Sequence, residues 1–236
     1  MTPRNAADPR FHAVLMVAGK LGAVRDEVVF LGGAVLPLLI SDQGAASVRP
    51  TDDVELAVEV TTRVEYYRLC ERLRALGFSE DDTPGAPICR WVIDGLKVDI
   101  MPTEESVLGF SNAWFLAAMR SASRVAFTDG QVVRVISAPY FCATKLEAFA
   151  DRGERDYVMS HDMEDVVAIV DGRVELLDEL VAAAPDVRAY VAATVREFLG
   201  DPAFVDALPG HLSPDDASQR RLPLVLDRLR RFASSS

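Results

Sequence analysis

Hydrophobic and polar residues alternate most regularly over residues 53–60. Every second position in this segment is apolar: Val54, Leu56, Val58 and Val60. The positions between them are mostly acidic: Asp53, Glu55, Ala57 and Glu59. Because successive side chains of a β-strand point to opposite faces of the sheet, this pattern predicts a strand with one face toward a core and carboxylates on the other.

Helical and strand-like patterns alternate over the first part of the chain. Helical spacing of apolar residues predicts helices at 10–24, 34–41, 62–76 and 113–121. Strand-like runs lie at 27–31, 53–60, 88–93 and 96–101, with a further hairpin over 124–136. The dipeptide Asp94-Gly95 separates two of these runs, and such a pair is a strong signal for a two-residue hairpin turn.

From Pro139 onward the pattern is almost entirely helical. Helices are predicted at 139–152, 160–171, 174–184, 187–199 and 214–233. We therefore predict an α+β fold, with a mixed sheet flanked by helices over residues 1–137 and a helical C-terminal region over residues 138–236. A cleft is expected between these two parts.

Composition narrows the class of protein. The chain has 236 residues, of which 50% are hydrophobic, but it contains no uninterrupted apolar run of the roughly 18 residues that a membrane span needs. Its first residues lack an apolar signal segment, so we expect a cytoplasmic protein without a membrane partner. The net charge of −11 provides no long-range basic field for nucleic acid, although a local patch can still bind RNA. The three widely spaced cysteines are typical of buried thiols.

Three carboxylates could hold a metal ion. Asp53 and Glu55 are two residues apart on one predicted strand, so their side chains share a face. Asp99 lies on a later strand, out of phase with its apolar neighbours. If the two strands are adjacent, all three acids project from one sheet face. Magnesium prefers oxygen ligands of this kind, but acids are also common on the solvated face of an amphipathic strand.

Gly32 and Gly33 follow a predicted strand and precede a predicted helix. Glycines at such a turn let backbone N–H groups approach a phosphate at the helix N-terminus. The alternative is that they only permit the turn.

Positive charge is predicted on one helix face in the C-terminal half. Lys145 and Arg152 are seven residues apart, so they lie two turns apart on the same side of a helix. Such a face suits a triphosphate, although it is also typical of an ordinary solvated helix. Asp162 follows Ser160, a natural N-cap, and could simply complement the helix dipole. Arg49, before the acidic strand, and Arg90, near the predicted hairpin, could each bind phosphate or base.

Together these residues resemble the nucleotidyltransferase superfamily, the polymerase-beta-like group. Within it the chain is most similar to the AbiEii/MenT type, nucleotidyltransferase toxins of bacterial toxin–antitoxin and phage-defence systems. The resemblance covers roughly residues 28–172 and implies a nucleotidyltransferase-like mixed sheet. The segments that carry it are Phe30–Ala34, Arg49–Leu56, Val98–Ile100, Ala143–Ala148 and Ser160–Asp165.

The resemblance implies a role for each matching residue of the first half. Gly32 and Gly33 would contact the phosphates of a nucleotide. Asp53 and Glu55 would bind magnesium, or manganese, and Asp99 would complete the metal site or act as a base.

In the second half, Lys145 would stabilise the triphosphate, and Asp162 would position Lys145 or the substrate. Arg49, Thr51 and Arg152 complete the expected nucleotide-binding set.

The function expected from this resemblance is magnesium-dependent transfer of a nucleoside monophosphate from a nucleoside triphosphate to a hydroxyl group, with release of pyrophosphate. The expected acceptor is RNA, tRNA in particular, or a protein side chain. A toxin role, with a cognate antitoxin protein as partner, is possible within the family.

Two alternatives stay open. An enzyme that nucleotidylates small molecules, as aminoglycoside-modifying enzymes do, would match the acidic composition, because a polycationic acceptor favours it. A non-catalytic nucleotide-binding or interaction module is the other. Glu55 stands where the family usually has Asp, and Ala34 where a Ser or Thr often follows the glycines.

Overall fold

The computed structural model of the protein describes residues 3–152 and 155–235. In this part of the chain a seven-stranded mixed sheet is flanked by helices and is followed by a helical C-terminal region. The predicted fold class, a mixed sheet flanked by helices with a helical C-terminal region, is confirmed. Among the described residues, no helix has both the length and the apolar character needed to cross a membrane.

The described residues form two compact units. The N-terminal unit contains the residues up to Leu38 together with Arg49–Ser137. The C-terminal unit contains Leu39–Val48 together with the residues from Ala138 onward. The second unit therefore includes a short segment from early in the sequence.

All strands belong to the N-terminal unit. They are β1 Val28–Leu31, β2 Asp53–Val58, β3 Ser79–Glu80, β4 Arg90–Ile93, β5 Leu96–Pro102, β6 Ser123–Ala126 and β7 Val132–Val135. They lie in the order β3-β4-β5-β2-β1-β7-β6. β2 pairs in parallel with β5 and antiparallel with β1, and β1 pairs in parallel with β7. β3 was not predicted because its two residues are exposed and show no apolar alternation.

The helices that precede residue 137 are α1 His12–Leu21, α2 Leu36–Leu39, α3 Arg63–Ala75, α4 Glu105–Leu108 and α5 Phe115–Arg120. α3 begins with a capping box, in which the Thr62 hydroxyl accepts from the backbone N–H of Glu65 at 3.2 Å and the Glu65 carboxylate accepts from that of Thr62 at 3.2 Å.

The helix predicted at 34–41 is largely wrong. It reduces to a 3₁₀ turn over Gly33–Val35 and the four residues of α2. The backbone N–H groups of Ser41 and Asp42, which a longer helix would use internally, donate instead to the carbonyl oxygen of Gly172 at 2.9 Å each.

The C-terminal unit is helical. Its helices are α6 Ala138–Arg152, α7 His161–Gly172, α8 Leu176–Ala182, α9 Pro185–Leu199, α10 Pro202–Ala207, α11 Asp216–Gln219 and α12 Leu222–Ala233. The single helix predicted at 214–233 is divided into α11 and α12, because Pro223, in the first turn of α12, lacks the N–H group that a continuous helix would use there. α10 was missed, although Asp201 caps it and Pro202 opens it.

Four aromatic rings form part of the core of this unit. Neighbouring rings lie 5.2 to 5.6 Å apart between centroids, mostly edge to face, which is the preferred geometry for such pairs. The four residues are Phe149, Tyr157, Phe198 and Phe204.

The segment Leu39–Val48 is attached to the C-terminal end of α7. Besides the two backbone bonds to Gly172, the Asp42 carboxylate accepts from Arg221 at 2.6 Å, and Arg221 also donates to Asp171 at 2.7 Å. Arg221 and Arg228 donate to carbonyl oxygens in the last turn of α7. These bonds satisfy groups that a helix end leaves unpaired.

We expect Gly172→Ala to destabilise the protein, because an added Cβ would lie 2.4 Å from Ile40 Cδ1. Crowding of this kind costs about 1–3 kcal/mol in free energy of unfolding, measurable by urea denaturation. Ile40→Val removes the crowded atom and should restore part of the loss. Gly210→Ala is the control, because no heavy atom lies within 4 Å of its added Cβ. Equal stability of Gly172→Ala and wild type would contradict this contact.

Candidate active site

Strand register brings the three predicted acids onto one sheet face. In the parallel pairing of β2 with β5, Glu55 lies directly beside Asp99. Directly paired residues project to the same face, and Asp53, two residues before Glu55, shares it. The sheet therefore assembles the acid pair of β2 with the third acid from β5.

A two-residue turn adds Arg90 to this face. Asp94 and Gly95 both have positive φ, at 48° and 81°, as the tightest hairpin turns require. The turn pairs Ile93 with Leu96, and in the same register Arg90 pairs with Asp99, three residues further from the turn on each strand. Arg90 was predicted only as a contact for phosphate or base, although the hairpin signal in the sequence already implies that it faces Asp99.

Arg90 binds two of the acids. Its Nε and Nη2 donate to Asp99 Oδ1 and Oδ2, both at 2.7 Å, and Nη2 also donates to Asp53 Oδ2 at 3.0 Å. Hydrogen bonding to Asp99 raises the pKa of the Arg90 guanidinium. Two parallel bonds of this kind form one of the stronger pairings available to a carboxylate. Asp99 is 7% exposed, so the pair is shielded from water.

The acids fit a metal ion only in part. Across residues 3–152 and 155–235, no group of three or more His, Cys, Asp or Glu side chains is arranged to hold a metal. Arg90 donates to both oxygens of Asp99, and its positive charge opposes a cation at Asp99. Asp53 and Glu55 still provide two carboxylates on one strand face, and magnesium is commonly held by one or two carboxylates plus phosphate oxygens.

Gly32 lies directly against the side chain of Glu55. Its backbone, at φ 71° and ψ −169°, is in a region that is essentially restricted to glycine. A Cβ added at Gly32 would lie 1.6 Å from Glu55 Oε2. The glycine is therefore needed for the position of Glu55. The four-residue α2 that follows adds little of the helix dipole that was expected to favour a phosphate.

Thr51 and Arg49 make local contacts just before β2. The Thr51 hydroxyl donates to the backbone oxygen of Asp53 at 3.2 Å, which fixes the start of the strand. Arg49 Nη1 donates to the carbonyl oxygen of Pro50 at 3.4 Å.

A second charged cluster lies within the C-terminal unit. Lys145 Nζ lies 2.8 Å from Asp165 Oδ2 and 3.2 Å from Asp162 Oδ1. Lys145 is 8% exposed and Asp165 is 1% exposed. Asp162, expected to position Lys145, is in contact with it. Sequence analysis missed Asp165 as a partner, because no spacing rule connects residues on different helices.

Arg152 completes this cluster. Its guanidinium lies 3.3 Å from Asp162 Oδ2, and its side chain is largely exposed. Lys145 and Arg152 lie on one side of α6, as their spacing predicts, and Asp162 contacts both of them. Of the two cations, Arg152 is the one that a dissolved anion can reach.

A cavity of about 450 Å³ adjoins the acidic cluster, because Arg90 lines it. The exposed side chains of Tyr67 and Ile88 form an apolar part of its wall. Trp91, also in the wall, is a core residue with 1% of its surface exposed.

We expect Gly32→Ala to cost about 2–4 kcal/mol in free energy of unfolding, from backbone strain and displacement of Glu55. Gly109→Ala is a matched control, since Gly109 has φ of 86° but no atom within 4 Å of an added Cβ, and it should cost about 1–2 kcal/mol. Urea denaturation measures both. The excess cost at Gly32 should shrink when Glu55 is first changed to Ala, and an equal cost in that background would contradict the contact.

We expect Lys145→Met to cost about 3–5 kcal/mol, because it leaves Asp165 buried without its cation. The control is Lys20→Met, which breaks an exposed pair with Asp94 and should cost under about 1 kcal/mol. Denaturation midpoints of the two variants make the comparison. Similar small losses would show that the buried cluster contributes little to stability.

No protein-family model and no curated protein matches the chain. Among solved structures, the chain is similar to JHP933 from Helicobacter pylori, with 10% identity, a TM-score of 0.48, and coverage of 97% of this chain and 92% of that one. It is also similar to a chain from H. pylori described as a candidate nucleotidyltransferase, with 10% identity, a TM-score of 0.46, and coverage of 97% and 95%. Both TM-scores are below 0.5, and none of the site assignments depends on them.

Proposed function

We propose that the protein transfers a nucleoside monophosphate from a nucleoside triphosphate to a hydroxyl group. The acceptor oxygen forms a bond to the α-phosphorus, the bond from that phosphorus to the β-phosphate oxygen breaks, and pyrophosphate leaves. The hydroxyl proton is released to solvent. The observation that carries this proposal is the strand register, which sets Glu55 beside Asp99, with Asp53 on the same face and Gly32 beneath.

Catalysis of nucleotidyl transfer is mostly positioning and neutralisation of charge. Asp53 and Glu55 are the residues that would hold magnesium or manganese. When bound, such an ion neutralises phosphate charge and polarises the phosphoryl oxygens. Asp99 was expected to be a further ligand or a base. Its two oxygens already accept from Arg90, so an acceptor hydroxyl would have to compete with the guanidinium for them.

Gly32 and Gly33, in the N-terminal unit, are the residues that would contact the nucleotide phosphates. Backbone N–H groups near Gly32 and Gly33 can approach a phosphate closely because these residues have no side chain. Within the C-terminal unit taken by itself, the exposed Arg152 is a candidate contact for an anion. The buried Lys145, paired with two carboxylates, would support that arrangement through Asp162.

RNA, including tRNA, is the acceptor class that we propose first, and a bacterial toxin role with a cognate antitoxin belongs to the same proposal. The net charge of −11 makes a small polycation the main competing acceptor, because unlike charges attract. A protein hydroxyl is a third acceptor to be tested. Growth arrest on expression, relieved by substitution of Asp53, would support the toxin role.

A non-catalytic nucleotide-binding module is the second candidate function. The ion pair between Arg90 and Asp99 favours it, because it engages the third acid of the cluster. The two functions differ in one observable: a module binds a nucleoside triphosphate but releases no pyrophosphate.

The test is incubation of the full chain with each of the four α-labelled nucleoside triphosphates, magnesium, and tRNA, an aminoglycoside or protein as acceptor. We expect label transfer and pyrophosphate release, reduced about 100-fold or more in Asp53→Asn and Glu55→Gln, because the phosphate charge is then poorly neutralised. Asp52→Asn is the control: it removes an adjacent, exposed carboxylate and should keep wild-type activity.

Each outcome has a distinct meaning. Binding of a nucleoside triphosphate without transfer to any acceptor would favour the non-catalytic module. Absence of both binding and transfer, or full activity in Asp53→Asn, would refute the proposed enzyme.

A further inference from the structure

A second cavity of the N-terminal unit, of about 490 Å³, lies at the end of β2 opposite the acidic residues. Val58, the last residue of β2, lines it. At the spacing of residues in a strand, Val58 is about 17 Å from Asp53. Four arginines line the same cavity: Arg68, Arg72, Arg120 and Arg134.

The lining of this cavity reverses the sign of the chain's charge. Besides the four arginines it contains three carboxylates, those of Glu27, Glu59 and Glu65, so the lining carries a net charge of +1, whereas the whole chain carries −11. Two of the carboxylates already have partners. Glu27 accepts from Arg72 at 2.5 and 2.8 Å, and Glu65 accepts from backbone N–H groups at the start of α3 at 2.8 and 3.2 Å.

Three of the four guanidinium groups keep their charge without an acidic partner. Within the part of the chain that the structure describes, Arg68, Arg120 and Arg134 form no ion pair. The guanidinium of Arg134 is nevertheless held in place, because it donates to the carbonyl oxygens of Met119 at 2.7 Å and Asp26 at 3.3 Å. These acceptors are neutral, so they position the group without cancelling its charge.

We propose that this cavity binds a small molecule that carries a phosphate group, at a site separate from the acidic residues of β2 and β5. The inference goes beyond the proposed function and does not depend on it. A guanidinium matches the spacing of phosphate oxygens and can donate two bonds to them. Because Arg68, Arg120 and Arg134 lie on α3, α5 and β7, they can approach a tetrahedral phosphate from different sides, whereas a planar carboxylate offers only two oxygens.

The remaining lining suits the organic part of such a molecule. Val58, Val60, Leu69 and Met119 each have at most 9% of their surface exposed and form an apolar wall. The volume falls within the range of roughly 300–1,000 Å³ that is usual for sites of small molecules and cofactors. An apolar wall of this kind favours a compact ligand over the sugar-phosphate backbone of a nucleic acid.

The test measures binding of inorganic pyrophosphate and of AMP to the full chain by calorimetry, with EDTA present to exclude divalent ions. We expect both to bind, and binding to weaken about tenfold or more in Arg68→Gln and in Arg120→Gln, since each loses a charged donor. Glu59→Gln removes a carboxylate from the lining and should tighten binding severalfold.

Arg63→Gln is the matched control. Arg63 lies on the same helix as Arg68, is also exposed, and does not line this cavity, so its substitution changes the net charge equally and should leave binding as in wild type. Urea denaturation shows whether each variant is folded. Asp53→Asn should also bind pyrophosphate as wild type does, because the acidic residues lie at the other end of β2.

Citrate and a single-stranded RNA oligonucleotide are the competing ligands. Failure of wild type to bind pyrophosphate and AMP, equal binding by wild type and folded Arg68→Gln and Arg120→Gln, or tighter binding of citrate than of pyrophosphate would overturn the proposal. RNA that binds more tightly than AMP and is lost in the same two variants would assign the cavity to nucleic acid instead. Loss of pyrophosphate binding in Asp53→Asn would place the ligand at the acidic residues, which also overturns this site.

Discussion

The pairing of β2 with β5 is the constraint on which the candidate site depends. Four fully buried residues pair directly across these strands and fix the register: Val54 with Val98, and Leu56 with Ile100. A slip by one residue would move these apolar side chains to the opposite face, at the cost of their burial. The same register places Glu55 beside Asp99. Burial of these apolar side chains therefore offsets the repulsion between the carboxylates that the register brings together.

Arg90 and Lys145 each neutralise nearby carboxylates, but in different ways. Arg90 spreads its charge over a planar group and contacts two carboxylates from neighbouring strands. Lys145 offers a point charge to two carboxylates one turn apart on α7. Arg90 lies 2.7 Å from the buried carboxylate of Asp99, and Lys145 lies 2.8 Å from that of Asp165, so each matters more to its unit than a cation of an exposed ion pair would.

Local signals in the sequence predicted a large part of this structure. The alternation over β2, the helix predicted at 62–76 and the turn at Asp94-Gly95 each depend on residues close in the chain, and the structure contains all three. The alternation fails at Ala57, which is buried on the face predicted to be polar, because neighbouring elements cover that end of the strand. The alternation of residues in one strand cannot show which other elements pack over that strand.

What the sequence could not predict depends on contacts between distant segments. The order of the strands and the partners of Lys145 join residues that no periodicity links. The shortening of the helix predicted at 34–41 has the same cause, since its later N–H groups bond to Gly172. Arg90 is the exception, because its pairing with Asp99 follows from the hairpin. Its contact with Asp53 still depends on β2 lying on the other side of β5.

The attachment of Leu39–Val48 to α7 has a practical consequence for dissecting the chain. A fragment beginning at Ala138 would lack the two N–H donors to Gly172, the Asp42 partner of Arg221 and the Ser41 hydroxyl that donates to Glu175. The helical half is thus not contiguous in sequence, and excising it at its apparent border removes part of its own structure. A chain in which a linker replaces residues 49–137, so that residues 39–48 run into the helices, is the form in which that half could be expressed alone.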